Sequence, residues 1–105
     1  MSPLNLDDEL RRAVSTGKAF LGTRAVLKEV RLGRGKLVVL SSNCPKEARE
    51  RIMEFAKLSK IPVIQHSKTG VDLGTLCGKP FIVSAMVIKD PGDSKILSLV
   101  KSKDA

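Results

Sequence analysis

The sequence predicts an α/β fold, a sheet sandwiched between helices. Three observations carry this expectation. Segments with helical periodicity alternate with short apolar runs from end to end. Leu37–Leu40 is a continuous apolar stretch rich in β-branched residues, as suits a central strand covered on both faces. The length of 105 residues, 42% of them hydrophobic and 29% charged, makes one modest core rather than two domains or a disordered chain. Residues 1–105 are therefore read as a single domain, without repeat or linker.

The first helix opens at Asn5, a capping side chain followed by Asp7, Asp8 and Glu9, acids that suit the positive end of the helix dipole. Leu6, Leu10, Ala13 and Val14 recur at helical spacing until Thr16-Gly17 ends it. Ala19–Leu21 is a short strand. Gly22-Thr23 opens a second helix that runs to about Leu32, before Gly33 and Gly35. Beyond the Leu37–Leu40 strand, Ser41, Ser42 and Asn43 offer capping groups, and Pro45 fits the first turn of a third helix because its missing N–H has no partner there. Ala48, Ile52, Phe55, Ala56 and Ser59 form the inner face of that helix, with Glu47 and Arg51 expected to pair outside. Ile61-Pro62 breaks it, Val63–Gln65 is a further strand, and Thr69–Cys77 is a small helix weakened by Gly70 and Gly74. Phe81–Ile88 reads mostly as strand, Asp90-Pro91-Gly92 as a turn, and Ser94–Val100 as a last short helix.

The net charge of +8, with a pI near 9.9, points to nucleic acid, because a polyanion gains affinity by releasing counterions to a cationic protein. The excess is uneven: Lys18–Lys36 alone carries +5, whereas Met1–Gly17 sums to −1. No apolar stretch approaches the ~20 residues of a membrane span, and Met1–Glu9 lacks the apolar run of a signal peptide. A cytoplasmic protein with no membrane partner is expected. Cys44 and Cys77 stand 33 positions apart with His66 the only histidine, so neither a zinc set nor a CxxC pair can be assembled. No metal or other cofactor is expected.

Three stretches could carry function. Arg24, Lys28 and Arg31 share one face of the second helix while Val26, Leu27 and Val30 take the other. The helix start at Gly22-Thr23 would offer backbone N–H groups to a phosphate; the alternative is an ordinary amphipathic surface helix. The loop Ser41-Ser42-Asn43-Cys44-Pro45 leaves the carboxyl end of the strongest strand, where α/β sheets place ligand contacts. The Asn43 amide could read a base edge, cap a helix, or do both through different atoms. In Gly78-Lys79-Pro80-Phe81-Ile82-Val83, Phe81 is the aromatic best placed for partial exposure and base stacking, with a core role the alternative; Phe20 and Phe55 sit in core patterns.

The segments TGKAFLGTRAVLKEVRLGRGKLVVLSSNCP, LSKIPV, GVDLGTLCGKPFIVSAMVI and DPGDSKIL resemble the archaeal and eukaryotic large-subunit ribosomal protein L thirty e family, in order and over almost the whole chain. The LGTR helix start, the SSNCP loop and VDLGTLCGKPF are its most specific parts, and the compact length looks archaeal. The resemblance implies a three-layer α/β/α sandwich around a mixed four-stranded sheet. It also implies binding to kink-turn RNA, an internal loop with sheared G·A pairs. By position, Gly22, Thr23, Arg24 and Lys28 would lie at the G·A stem, Asn43 would contact a base, and the loop of Phe81, Ile82, Val83 and Ser84 would hold a flipped-out nucleotide. Arg31, Lys46 and Lys79 complete the expected RNA-binding set. The wider superfamily, typified by L seven Ae, has Asn-Glu then Lys at the helix start. This chain has Thr23-Arg24 there, which favours the ribosomal branch.

The expected function is that of a structural constituent of the large ribosomal subunit, in the cytoplasm, with kink-turn ribosomal RNA and other large-subunit proteins as partners. The free protein is expected to be a monomer without a small-molecule substrate. A kink-turn protein of an RNA-modifying particle or a messenger-RNA control element is the alternative. An enzyme using Cys44 is more remote: the thiol precedes a helix start, but Pro-Lys-Glu-Ala-Arg follows it rather than a glycine-rich phosphate loop. Gly33-Arg34-Gly35 precedes a strand, where a dinucleotide motif would follow one. His66 is expected in a loop or facing a partner, and Asp72 as a cap.

Overall fold

The structure is a computed structural model that describes residues 6–97. The expected Asn5 cap lies outside the described residues, as does the second half of the helix expected over Ser94–Val100, of which Ile96 and Leu97 are seen to be helical. Among the described residues and ahead of Ile96, four helices and four strands alternate: α1 Leu6–Thr16, β1 Lys18–Leu21, α2 Thr23–Arg31, β2 Leu37–Leu40, α3 Lys46–Leu58, β3 Val63–Gln65, α4 Gly70–Leu76 and β4 Ala85–Asp90. The sheet is mixed, in the order β1-β4-β2-β3. Its third strand pairs parallel to β2, while β4 runs antiparallel to both β1 and β2.

The unbroken apolar runs of β2 and β4 follow from burial on both faces. Leu37 and Val39 join Met86 and Ile88 beneath Leu10 and Ala13 of α1 and Leu73 of α4. Val38 and Leu40 join Ala85 and Val87 on the other face, beneath Val26 and Val30 of α2 and Ile52 and Ala56 of α3. Successive strand residues thus feed two cores, and the molecule is the expected α/β/α sandwich. An ion pair ties α2 to the sheet: Lys89 Nζ lies 3.2 Å from Oε1 of the buried Glu29 and 5.4 Å from the Phe20 ring centre.

Local differences have physical reasons. Pro45 is the N-cap of α3 rather than its first residue, with φ −54° and ψ 137°, and no side chain caps that helix. On its outer face Lys46 approaches Glu50 at 4.0 Å, in place of the expected Glu47–Arg51 pair. At α4 the cap is Thr69, whose hydroxyl accepts the Asp72 N–H at 3.3 Å, so Asp72 is the capped residue and not the cap. The last strand begins at Ala85 rather than Phe81, because the preceding residues cross α4. A Cβ on Gly74 would stand 2.0 Å from the Phe81 carbonyl oxygen, an approach only glycine permits.

Candidate nucleic-acid interface

Three strands, β1, β2 and β3, finish at the same end of the sheet, and β4 starts there. Hydrogen bonds to the start of β4 collect the sequence-predicted segments at this end. Gly22 N–H donates to the Ala85 carbonyl at 2.8 Å, and Ser41 N–H to the Ser84 carbonyl at 2.9 Å. Asn43 Oδ1 accepts both the Gly70 N–H at 3.0 Å and the Ser41 hydroxyl at 3.1 Å. Val83 N–H closes the circuit onto the Gly70 carbonyl at 2.9 Å. The start of α2, the loop after β2, the start of α4 and the loop before β4 therefore form one hydrogen-bonded unit.

Each part presents open groups. Gly22, at φ +108°, caps α2 without a side chain, so the first-turn N–H groups receive no side-chain acceptor. The conformation is one that residues with a Cβ rarely adopt. Arg24 and Lys28 are exposed on successive turns of the outer face of α2. Because Asn43 is exposed and its bonds to Gly70 and Ser41 both use Oδ1, its amide nitrogen is left as a donor toward solvent. Phe81 and Ile82 are 52% and 62% exposed, large apolar side chains held at the rim of a polar site.

Residues 5–98 match the family described as the ribosomal protein L7Ae/L30e/S12e/Gadd45 family. The chain belongs to that family. It is 50% identical to the large ribosomal subunit protein eL30 of Methanothermobacter thermautotrophicus over 97 residues, covering 92% of this chain and 99% of that one. Likewise it is 46% identical to the protein of the same name from Methanocaldococcus jannaschii, covering 96% and 92%. The eL30 of Saccharolobus solfataricus is 41% identical, covering 95% and 93%. A solved structure of a protein of unknown function from Bacillus halodurans C shares the fold, with a TM-score of 0.78 at 24% identity over 95% of this chain and 99% of that chain.

Not every expected residue of this L7Ae/L30e-family chain reaches the site. Val83 is fully buried among Leu73, Met86 and Ile96, so its side chain builds the loop from inside and cannot contact a ligand. Arg31 stands seven residues past Arg24, about 10 Å along α2 at 1.5 Å per residue. Its guanidinium lies 5.9 Å from the Phe55 ring centre. Lys46 follows the Asn43 loop but leans toward Glu50. Lys79 is exposed at the foot of the aromatic loop, its N–H bound to the Gly74 carbonyl at 2.8 Å. Ser84 is half-buried, with its carbonyl taken by Ser41.

Sequence reasoning missed two supports. His66, expected in a loop or facing a partner, is buried. Its Nδ1 accepts the Lys68 N–H at 3.0 Å, so the ring proton sits on Nε2, which donates to Asp7 Oδ1 in α1. Lys68 in turn gives its carbonyl to the Ser42 N–H at 2.9 Å, one residue from Asn43. A lone histidine in a polar stretch was the only signal. The second is an acidic wall: Glu47, Glu50 and Glu54 of α3 line a groove with Thr23, Arg24 and Leu27, bounding the cationic ridge on one side. Burial pushes the Cys44 thiol up, against a smaller opposite pull from Arg49, so it is a poor nucleophile at neutral pH. Among the described residues no three of His, Cys, Asp or Glu gather as a metal site, and no helix is long and apolar enough to cross a membrane.

Proposed function

We propose that this protein is a structural constituent of the large ribosomal subunit that grips a kink-turn of ribosomal RNA and acts without catalysis. The observation that carries the reading is the convergence, through the start of one strand, of an uncapped helix start, a free amide donor and an exposed aromatic loop. Each suits a different part of a sharply bent RNA. The α2 start and Arg24 and Lys28 suit phosphates. The Asn43 amide suits a base edge. Phe81 and Ile82 suit a base splayed out of the stack. The eL30 names of relatives at 41–50% identity support the ribosomal assignment, and with it the cytoplasmic ribosome as location.

Filter binding tests it. Affinity for a kink-turn RNA should exceed that for a plain duplex of equal length by at least tenfold, with a steep loss as salt rises. Replacing Phe81 by Ala should weaken kink-turn binding by about 1–3 kcal/mol, the usual contribution of a stacked base, and leave duplex binding unchanged. Equal affinity for the two RNAs refutes the specificity. Retention in large subunits after a high-salt wash tests the ribosomal assignment, and absence there assigns the protein to another kink-turn particle.

A further inference from the structure

The strongly basic segment Lys18–Lys36 divides in the fold. Arg24 and Lys28 belong to the interface above. Arg31, Arg34 and Lys36 belong to the opposite end of the sheet, where β2 begins, and Lys57 in the last turn of α3 and Lys60 in the α3–β3 connection meet them. Backbone bonds fix this meeting. Arg34 N–H donates to the Glu29 carbonyl at 2.8 Å, Lys36 N–H to the Ile88 carbonyl at 2.7 Å and Val38 N–H to the Pro62 carbonyl at 2.9 Å. The Ser59 hydroxyl reaches the Val30 carbonyl at 3.3 Å, joining the two loops at the helix ends.

All five cations are exposed, and none takes part in an ion pair among the described residues, where Arg11, Arg12, Lys46, His66, Lys68 and Lys89 are the paired cations. Of the acids nearby, Glu29 is buried against Lys89, Glu50 approaches Lys46 at 4.0 Å and Asp90 accepts the Gly92 N–H at 3.0 Å, while Glu54 lines a groove with Lys57 and offsets that one cation in part. Five like charges gathered at two helix ends and the loops that follow them outnumber the carboxylates beside them and repel one another, and a polyanion relieves that repulsion. We infer that this end is a second RNA-binding surface, which holds the phosphates of a separate RNA segment while the Asn43 end is occupied. It presents no side-chain amide and no exposed aromatic residue comparable to Asn43 and Phe81, so it meets the RNA backbone and is independent of sequence. The two surfaces lie at opposite ends of β2, so one protein ties two RNA segments together. Leu32 and Leu58, 54% and 75% exposed at the ends of α2 and α3, flank the cations and fit against ribose.

This second surface rests on the proposed RNA-binding function for its class of ligand, and the test separates the two. Protein saturated with unlabelled kink-turn RNA is titrated with a labelled plain RNA duplex, with polyglutamate as competitor. The wild type should form a ternary complex. The triple variant Arg34→Gln, Lys36→Gln, Lys60→Gln, altered only at exposed loop positions, should bind the kink-turn within twofold of wild type. Its duplex binding should weaken, with the salt slope reduced by about 2.7, at about 0.9 for each phosphate that is no longer neutralised. If the kink-turn preference itself fails, plain duplex alone still reads the second surface as two sites per wild-type protein and one per triple variant. No ternary complex at low salt, a ternary complex unchanged in the triple variant, or displacement of duplex by polyglutamate at equal charge overturns the inference.

Discussion

Asn43 holds two roles on different atoms, and substitution can separate them. Its Oδ1 satisfies the first N–H of α4 and the Ser41 hydroxyl, while Nδ2 remains for a ligand. Changing Asn43 to Ala removes both internal bonds. The helix-end bond contributes about 1 kcal/mol and the hydroxyl bond about 0.5–1 kcal/mol, which together lower the melting temperature by roughly 6–16 °C for a domain of this size. Changing Asn43 to Asp keeps the acceptor and sets a carboxylate against a helix start, so the Asp variant should melt near the wild type. Its RNA binding should still fall about 5- to 150-fold, since the amide donor to the base, at about 1–3 kcal/mol, is gone. Melting followed by circular dichroism and filter binding on the same preparations give both numbers. An Asp variant that melts as low as the Ala variant, or that binds kink-turn RNA like the wild type, refutes the division of labour.

Three further outcomes follow from the packing and the titrating groups. Gly74→Ala should destabilise the protein by about 1–3 kcal/mol in urea unfolding and weaken RNA binding with it, because the new methyl would displace the Phe81 loop that lies on α4. The Lys95 N–H holds the Glu9 carboxyl below its ordinary 4.5, burial opposes, and the Ser94 hydroxyl and Arg12 add to the lowering. A carboxyl with a lowered folded value stabilises fully above 4.5 and progressively less as pH falls through that folded value. Glu9→Gln should therefore flatten the acid limb of the pH–stability curve, and an unchanged limb would show that the tether does not titrate on folding. Both thiols are pushed up by burial, so Cys44 and Cys77 should react with a disulfide reagent at pH 7 far more slowly than in urea, and Cys44→Ser should keep full RNA affinity.

Much of this was legible in the chain because it is local. Leu37–Leu40 had to be doubly buried, since no polar residue interrupts it. The amphipathic pattern of α2 fixed which side would carry Arg24 and Lys28. Asn43 could be placed at a carboxyl strand end from the order of segments alone. What stayed hidden depends on residues distant in sequence. Asn43 accepts the first N–H of α4, 27 positions onward, beside the Thr69 cap, and does not cap the adjacent α3, because the Ser42–Lys68 bond brings the two segments together. Phe81–Ser84 has strand-like composition, but the Val83 N–H is bound by Gly70 of α4, the Ser84 carbonyl is taken by Ser41, and the Phe81 carbonyl lies against Gly74 of α4. The partners of His66 are in α1, 59 positions earlier. Arg31 shares a helical face with Arg24 yet not an end of the molecule, a difference of helix length that periodicity ignores.

The placement of β4 has a consequence for how the protein is made. It is the last of the four strands among the described residues, yet it sits between β1 and β2, which do not touch each other without it. A growing polypeptide released only as far as the Phe81 loop would hold β1 as an orphan edge and the segments of the proposed RNA interface as separate fragments. Sheet closure and competence for RNA should then arrive in one late event, so premature termination would yield an inert chain in place of a partly active one. The many pairings between distant positions also favour slow folding.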